Sequence, residues 1–278
     1  MPIRPLLKWC FLLCSLCGFF LETQAQLENP LVAYYYENLK LLPYNESTSL
    51  NKALRRYKET FKNIDPAICD TAFIVFEEYM IRTLNEVNFD YRLLSNPNKI
   101  KGDKQRRSMI AYQAKLKRQN YIFTENKDVL IVLPDLENIH AQLKPFLTPA
   151  MQVFLDKTDL ESKEGFSQED SLLISPQLLA ERCLWWEKFI QNYPKFLLKQ
   201  DAQERYNTYL ETLVFGTSKT SLFNTKKNKL RADFKKTYQW LVKSHPLSIT
   251  GDVVERYLFV LEKNNYTLCD ELLFFTWE

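Results

Sequence analysis

Glycine is scarce in this sequence, which has only five among its 278 residues. All-β sandwiches and phosphate-binding α/β folds use glycine freely at turns and ligand loops, because it tolerates backbone angles and close approaches that other residues do not. The scarcity therefore argues against both classes and favours helices joined by short loops. The aromatic content of 14% indicates aromatic-rich packing between those helices.

The common signatures of catalysis and cofactor binding are missing as well. The sequence has no G-x-S-x-G elbow, no phosphate-cradling glycine loop and no dinucleotide fingerprint. Neither His140 nor His245 has a second histidine four residues on, so the helical zinc-protease motif is absent. Glu137 and His140 share a helix face that would suit a metal or an acid–base pair, but a solvated polar pair is the simpler interpretation. We predict no cofactor, no metal site and no catalytic residue.

A long apolar run occurs only at the N terminus. The cations Arg4 and Lys8 precede thirteen uncharged residues, Trp9 to Leu21, and small residues follow at Thr23 and Ala25. This three-part layout is typical of a secretory signal peptide, and the run is shorter than the ~20 residues that span a membrane. We predict that the first 25 residues are cleaved, leaving a periplasmic or secreted chain without a transmembrane segment. A buried helix or an uncleaved anchor is the alternative.

Charge and cysteine content say little about a partner. The predicted signal carries two cations and one acid, so its removal lowers the formal net charge from +3 to +2, which does not demand an anionic partner. Three cysteines remain, Cys69, Cys183 and Cys269, and their spacing fits no zinc pattern. One pair could form a disulfide, or the cysteines could be buried thiols, because Cys69 and Cys183 lie on apolar helix faces.

Apolar spacing predicts that residues 26–160 are mainly helical. The stripe from Leu50 to Ile64 follows one helix face, and Asp65-Pro66 then begins the next helix with an aspartate cap and a proline in the first turn. We assign Phe76 in this helix to the core. Two apolar, β-branched pieces within residues 121–133 predict a small β hairpin.

Residues 171–278 contain a weak internal repeat. FIQNYP at 189–194 is followed by ERYNTYL from Glu204, and LVKSHP at 241–246 is followed by ERYLFVL from Glu255. Each unit reads as a helix, a proline-marked corner and a second helix, which predicts antiparallel helical hairpins stacked as a short array. A chance resemblance between two amphipathic hairpins is the alternative. His245 corresponds to Tyr193 in the other copy and is predicted to pack, as is Trp186 in the first copy.

Residues 161–170 are polar and predict a loop or hinge between the two helical regions. Glu161-Ser162, with Phe166 four residues later, resembles the glutamate–serine pair of lytic transglycosylases. These are exported helical enzymes that cleave wall glycans, and the resemblance implies that Glu161 acts as acid and base. The glycine-rich segment that follows in that family is missing, and Ser167 to Asp170 is polar and acidic. We therefore expect Glu161 to be solvated and replaceable by glutamine without effect.

The most basic stretch runs from Lys99 to Arg118, with eight cations and a single acid. Met109, Tyr112 and Leu116 recur at helical spacing, and Ile110 with Ala114 widens that apolar strip, which leaves the cations on the solvent side. The candidate polyanion-binding residues are Lys104, Arg106, Arg107, Lys115, Lys117 and Arg118. An exported protein would meet lipid headgroups or acidic glycans, so no nucleic acid is expected. A solvated face without a ligand is the alternative.

These features favour binding over catalysis. The sequence suggests an exported helical binding or scaffolding protein of the cell envelope, which presents a helical-array surface to a protein or envelope partner. The alternative is a cell-envelope glycan-active hydrolase or lyase with an unrecognised carboxylate site. An apolar-aromatic groove without convergent acids would indicate the former, and two carboxylates about 5–10 Å apart across a cleft would indicate the latter.

Overall fold

The computed structural model describes residues 28–90, 101–126 and 129–276. These residues are mainly helical and fall into two compact units, an N-terminal unit that ends at Asp159 and a C-terminal unit that begins at Leu160. The predicted signal peptide, with its cleavage point after Ala25, lies outside the described residues. Among the helices that the structure describes, none combines the length and the apolar composition required to cross a bilayer.

The N-terminal unit consists of helices and one hairpin. In chain order its elements are α1 (Pro30–Lys40), α2 (Ser49–Thr60), α3 (Pro66–Asp90), α4 (Asp103–Lys117), β1 (Tyr121–Asn126), β2 (Val129–Pro134), α5 (Leu136–Leu143), a 3₁₀ turn (Lys144–Phe146) and α6 (Pro149–Glu164), which continues past the end of the unit. The predicted β hairpin is confirmed: β1 and β2 pair antiparallel, with Tyr121 opposite Pro134.

Side-chain caps fix the start of two helices in this unit. The Asn29 side chain accepts hydrogen bonds from the Leu31 and Val32 amides ahead of α1. Asp65 Oδ1 accepts one from the Ala67 amide at 2.8 Å, as the cap predicted for α3. Such side chains satisfy N–H groups that have no partner inside the helix.

Aromatic rings fill the core between α1, α2 and α3. Tyr57 lies 5.7 Å from Tyr35 and 4.9 Å from Phe61, measured between ring centroids, and all three are buried. The Tyr57 hydroxyl donates to the Cys69 carbonyl at 2.7 Å, so the ring is buried without leaving its polar end unpaired. Phe76 is fully buried beside them, as predicted.

The C-terminal unit contains the predicted stacked hairpins. After the end of α6 its elements are β3 (Ser167–Gln168), β4 (Ser171–Leu172), α7 (Pro176–Asn192), α8 (Lys199–Phe215), α9 (Ala232–Ser244), α10 (Ile249–Lys263) and α11 (Asp270–Leu273). Helices α7 and α8 form one hairpin, α9 and α10 form the next, and both helices of the second hairpin pack on α7.

The two hairpins are alike in detail. Tyr193 and His245 end the first helix of each hairpin with similar backbone angles, φ −125° and ψ 61° against φ −135° and ψ 48°. Tyr206 and Tyr257, from the two Glu-Arg-Tyr segments, are both buried. His245 packs its ring 5.0 Å from Trp240, in the role predicted for it.

A buried carboxylate joins the second hairpin to the first. Glu187 of α7 accepts hydrogen bonds from the Ile249 amide at 2.7 Å and from the Thr250 amide at 2.8 Å. The Thr250 hydroxyl donates to it as well. Glu187 therefore caps the N terminus of α10 from another helix, where the helix dipole favours a negative charge.

Candidate polyanion-binding surface

All six predicted cations are exposed, on α4 or at Arg118 directly after it. The apolar strip of α4 is narrower than the sequence predicted, because Leu116 is buried while Ile110 and Ala114 are exposed. Helix α4 therefore offers most of its circumference to solvent. We call the six cations, Lys104, Arg106, Arg107, Lys115, Lys117 and Arg118, the basic face.

The charges of the basic face are not neutralised locally. Among the residues that the structure describes, no carboxylate forms an ion pair with any of the six side chains. Cations close together in the sequence, Arg106 with Arg107 and Lys115 with Lys117, are no more than about 3 Å apart along the helix axis. This separation is well within the Debye length of about 8 Å at physiological salt, so the members of each pair act together on an approaching anion.

An open groove of about 520 Å³ adjoins the C-terminal end of α4. Arg118 lines it together with three cations of α2, Lys52, Arg55 and Lys58. The three α2 residues recur every third position, which places them along one side of the helix. These three cations were not predicted from the sequence, although their spacing is visible in it. Their proximity to Arg118, some sixty residues later in the chain, is set by the fold and leaves no local signal.

The floor of the groove is a connected set of side-chain amides. Asn51 Nδ2 donates to the Arg118 carbonyl and to Gln119 Oε1, both at 3.0 Å. Asn120 Nδ2 donates in turn to Asn51 Oδ1, and Asn138 Nδ2 donates to Asn120 Oδ1. Asn120 is buried and has a positive φ of 64°, a conformation that asparagine tolerates better than most residues.

Among the described residues that line the groove, none is an aspartate or a glutamate. Lys52 pairs with Glu46 at 3.1 Å and Arg55 with Glu59 at 3.8 Å, but all four side chains are exposed, so these pairs are weak. Water and an incoming anion therefore compete readily for both cations. The groove continues the positive charge of the basic face.

Glu161 is buried, and the prediction that it lies in a solvated loop is wrong. Helix α6 continues to Glu164, and Gly165 ends it with a φ of 75°. Glu161 is only 4% exposed, and its carboxylate accepts hydrogen bonds from Trp186 Nε1 at 3.0 Å and from the Tyr209 hydroxyl at 2.9 Å.

Two guanidinium groups complete the surroundings of Glu161. Arg182 Nε lies 3.9 Å and Arg205 Nη1 4.0 Å from its carboxylate oxygens. Arg182 is itself fully buried and donates to Glu164 Oε2 at 2.9 Å. A catalytic acid must touch its substrate. The burial and donors of Glu161 fit an internal anchor and not the role that the resemblance to lytic transglycosylases implied.

His140 is buried too, so the interpretation as a solvated pair with Glu137 is wrong. His140 Nδ1 lies 2.8 Å from Asp159 Oδ1, and Lys144 Nζ lies 3.5 Å from the other oxygen of that carboxylate. A histidine held by a carboxylate is a common catalytic pair, but here Nε2 is also buried and not open to a substrate. Within the described ranges, no three histidine, cysteine, aspartate or glutamate side chains are grouped to hold a metal ion.

The surface formed by the basic face and the groove thus brings together fourteen charged or amide side chains from α2, α4, the turn that follows α4, and α5. It can bind anions and form hydrogen bonds. Comparison with known proteins gave no relative, since no family model, no curated protein and no solved structure matches this chain.

Proposed function

We propose that this chain is an exported helical binding or scaffolding protein of the cell envelope, which docks on an anionic envelope component through the basic face and the groove. The export part rests on the N-terminal sequence pattern. The observation that carries the binding part is the set of six exposed cations, which have no ion-pair partner among the described residues. Arg118 continues this set into a groove whose described lining residues include no carboxylate.

The energy of such an interaction comes from many small terms. Each lysine or arginine near an anionic surface contributes about 1 kcal/mol at physiological salt, and the sum falls as salt rises. Because α4 is exposed over most of its surface, its cations can reach an extended polyanion without rearrangement of the core.

The character of the groove favours binding over hydrolysis. A glycosidase needs two carboxylates across a cleft. The lining residues that the structure describes supply none. The groove also differs from the apolar-aromatic one that a protein-binding array would offer, so we infer recognition by charge and hydrogen bonds.

Charge reversal of Arg106 and Arg107 tests this function. We expect the double variant Arg106→Glu/Arg107→Glu to bind an isolated envelope fraction about 30-fold more weakly than the parent, at about 1 kcal/mol for each cation removed. The salt dependence should flatten, because fewer counterions are displaced. Co-sedimentation with the envelope fraction at stepped salt concentrations measures both quantities.

Lys226→Glu/Lys227→Glu is the matched control, since it makes the same charge change at two exposed lysines of the C-terminal unit. The control should bind like the parent. Equal loss in both double variants would mean that net charge alone governs binding. If binding to the envelope fraction changes neither with salt concentration nor in Arg106→Glu/Arg107→Glu, the basic face does not take part in binding.

A further inference from the structure

We infer that the groove beside α4 binds a short acidic oligosaccharide, with a uronic-acid carboxylate on Arg118 and the sugar hydroxyls on the side-chain amides. This inference rests on the proposed function and names the class of ligand for the same surface. It starts from the size of the groove. A volume of about 520 Å³ lies within the range of about 300–1,000 Å³ that small-ligand sites occupy, and the groove is open, so a chain can enter and leave it.

The hydrogen-bonding groups of the groove are of mixed type. Gln119 accepts through Oε1, and its Nε2 donor is unused within the described part of the chain. Asn138 donates through Nδ2, and its Oδ1 acceptor is likewise unused there. A sugar hydroxyl both donates and accepts, whereas a phosphate chain mainly accepts. An acceptor placed among cations therefore fits a ligand that carries hydroxyls as well as charge.

Arg118 supplies the anion-binding part. Its side chain is exposed and has no acidic partner among the described residues. A guanidinium binds a carboxylate through two parallel hydrogen bonds, which fixes the direction of the carboxylate as well as its position. Lys52 and Arg55 can exchange their weak surface pairs for a second carboxylate along the chain.

The composition of the groove lining also restricts the class of ligand. None of the lining residues in the described part of the chain has an aromatic side chain. Single-stranded nucleic acids bind through base stacking on aromatic rings, so this groove lacks what a nucleobase requires. Recognition rests instead on the amides and cations.

The floor of the groove is fixed before a ligand arrives. Asn120 is buried and bonded to both Asn51 and Asn138, and its carbonyl accepts from the Asp135 amide at 2.7 Å. Side chains held in place in this way lose little conformational freedom on binding, which favours even a small, polar ligand.

The test is a calorimetric titration of the full chain with tetragalacturonate. Two probes accompany it: the same oligomer with its carboxyl groups reduced to alcohols, and pyrophosphate. We expect the parent to bind tetragalacturonate and to bind the reduced oligomer at least about tenfold more weakly, because the charge-assisted bonds to Arg118 are lost. Pyrophosphate should bind weakly, since it offers no hydroxyl groups.

Two variants with a control locate the site. Arg118→Ala should weaken tetragalacturonate binding about tenfold or more, and Gln119→Met about fivefold, without changing pyrophosphate binding in the second case. Lys226→Ala removes the same charge from an exposed position in the C-terminal unit, outside the proposed surface, and should leave the titration nearly unchanged. Thermal unfolding of each variant must match the parent, which excludes loss of fold as the cause.

The outcomes separate this inference from the proposed function. Equal binding of the reduced and acidic oligomers, or a Gln119→Met variant that binds like the parent, would overturn the acidic-sugar assignment. A chain that ignores tetragalacturonate yet binds the envelope in a manner sensitive to salt and to Arg106 and Arg107 would refute the inference and leave the function standing. Loss of both forms of binding would refute both.

Discussion

Replacing Glu161 with alanine should lower the free energy of unfolding by about 3–5 kcal/mol, the cost of removing one partner from a buried ion pair. The carboxylate faces Arg182 and Arg205 and accepts from Trp186 and Tyr209. Without it, a fully buried guanidinium keeps its charge with one carboxylate fewer, and two buried donors lose their acceptor. Urea denaturation followed by tryptophan fluorescence measures the change, since Trp186 itself contacts the site.

Two further variants sharpen this test. Glu161→Gln keeps an acceptor for the two donors but removes the charge. We therefore expect its free energy of unfolding to lie between that of the parent and that of the alanine variant. Glu164→Ala removes the other carboxylate bound to Arg182, but that side chain is 32% exposed and water can take its place. Glu164→Ala should therefore lower the free energy of unfolding clearly less than Glu161→Ala does. A Glu161→Ala chain as stable as the parent would show that the buried charges add nothing to stability.

Phe76→Ala should destabilise the N-terminal unit by about 3–5 kcal/mol, the usual cost of deleting a buried aromatic ring. Phe76 is fully buried and lies 6.4 Å from the Tyr57 ring in an edge-on arrangement, so the deletion leaves a cavity in the aromatic core. Thermal and chemical unfolding followed by circular dichroism would measure the loss.

The control for Phe76 is Ile110→Ala, which removes a side chain that is 53% exposed on α4 and should change stability by no more than about 0.5 kcal/mol. If Phe76→Ala unfolds at the same temperature as the parent, the aromatic core does not stabilise this unit. If Ile110→Ala is the more destabilising of the two, α4 is packed more tightly than its exposure indicates.

Features that depend on neighbouring residues were predictable from the sequence. Asp65-Pro66 and Ser175-Pro176 start helices because a capping oxygen and a proline act within one turn. The Asp65 cap was predicted and is confirmed. The hairpin at 121–134 and the repeat of helix, corner and helix are likewise patterns that extend over short stretches of chain.

Features that depend on distant partners were not predictable. Glu161 looks like a loop residue because its neighbours Ser162, Lys163 and Glu164 are polar, and its partners Trp186 and Tyr209 come 25 and 48 residues later. His140 was paired with Glu137 on spacing alone, whereas the fold brings Asp159 to it. The sequence near a residue does not indicate which distant side chains the fold brings into contact with it.

The three cysteines that the structure describes carry free thiols, and two of them are buried in different units, Cys69 in the N-terminal unit and Cys183 in the C-terminal unit. Burial raises the pKa of Cys69 to about 11 and the pKa of Cys183 well above its ordinary value. Thiolates, not thiols, attack disulfides and alkylating reagents. Each of these cysteines is thus shielded from oxidation while its own unit stays closed, and becomes reactive when that unit opens. The chain therefore carries one native reporter of local opening in each unit, and in an oxidising compartment the same burial guards it against mispaired disulfides.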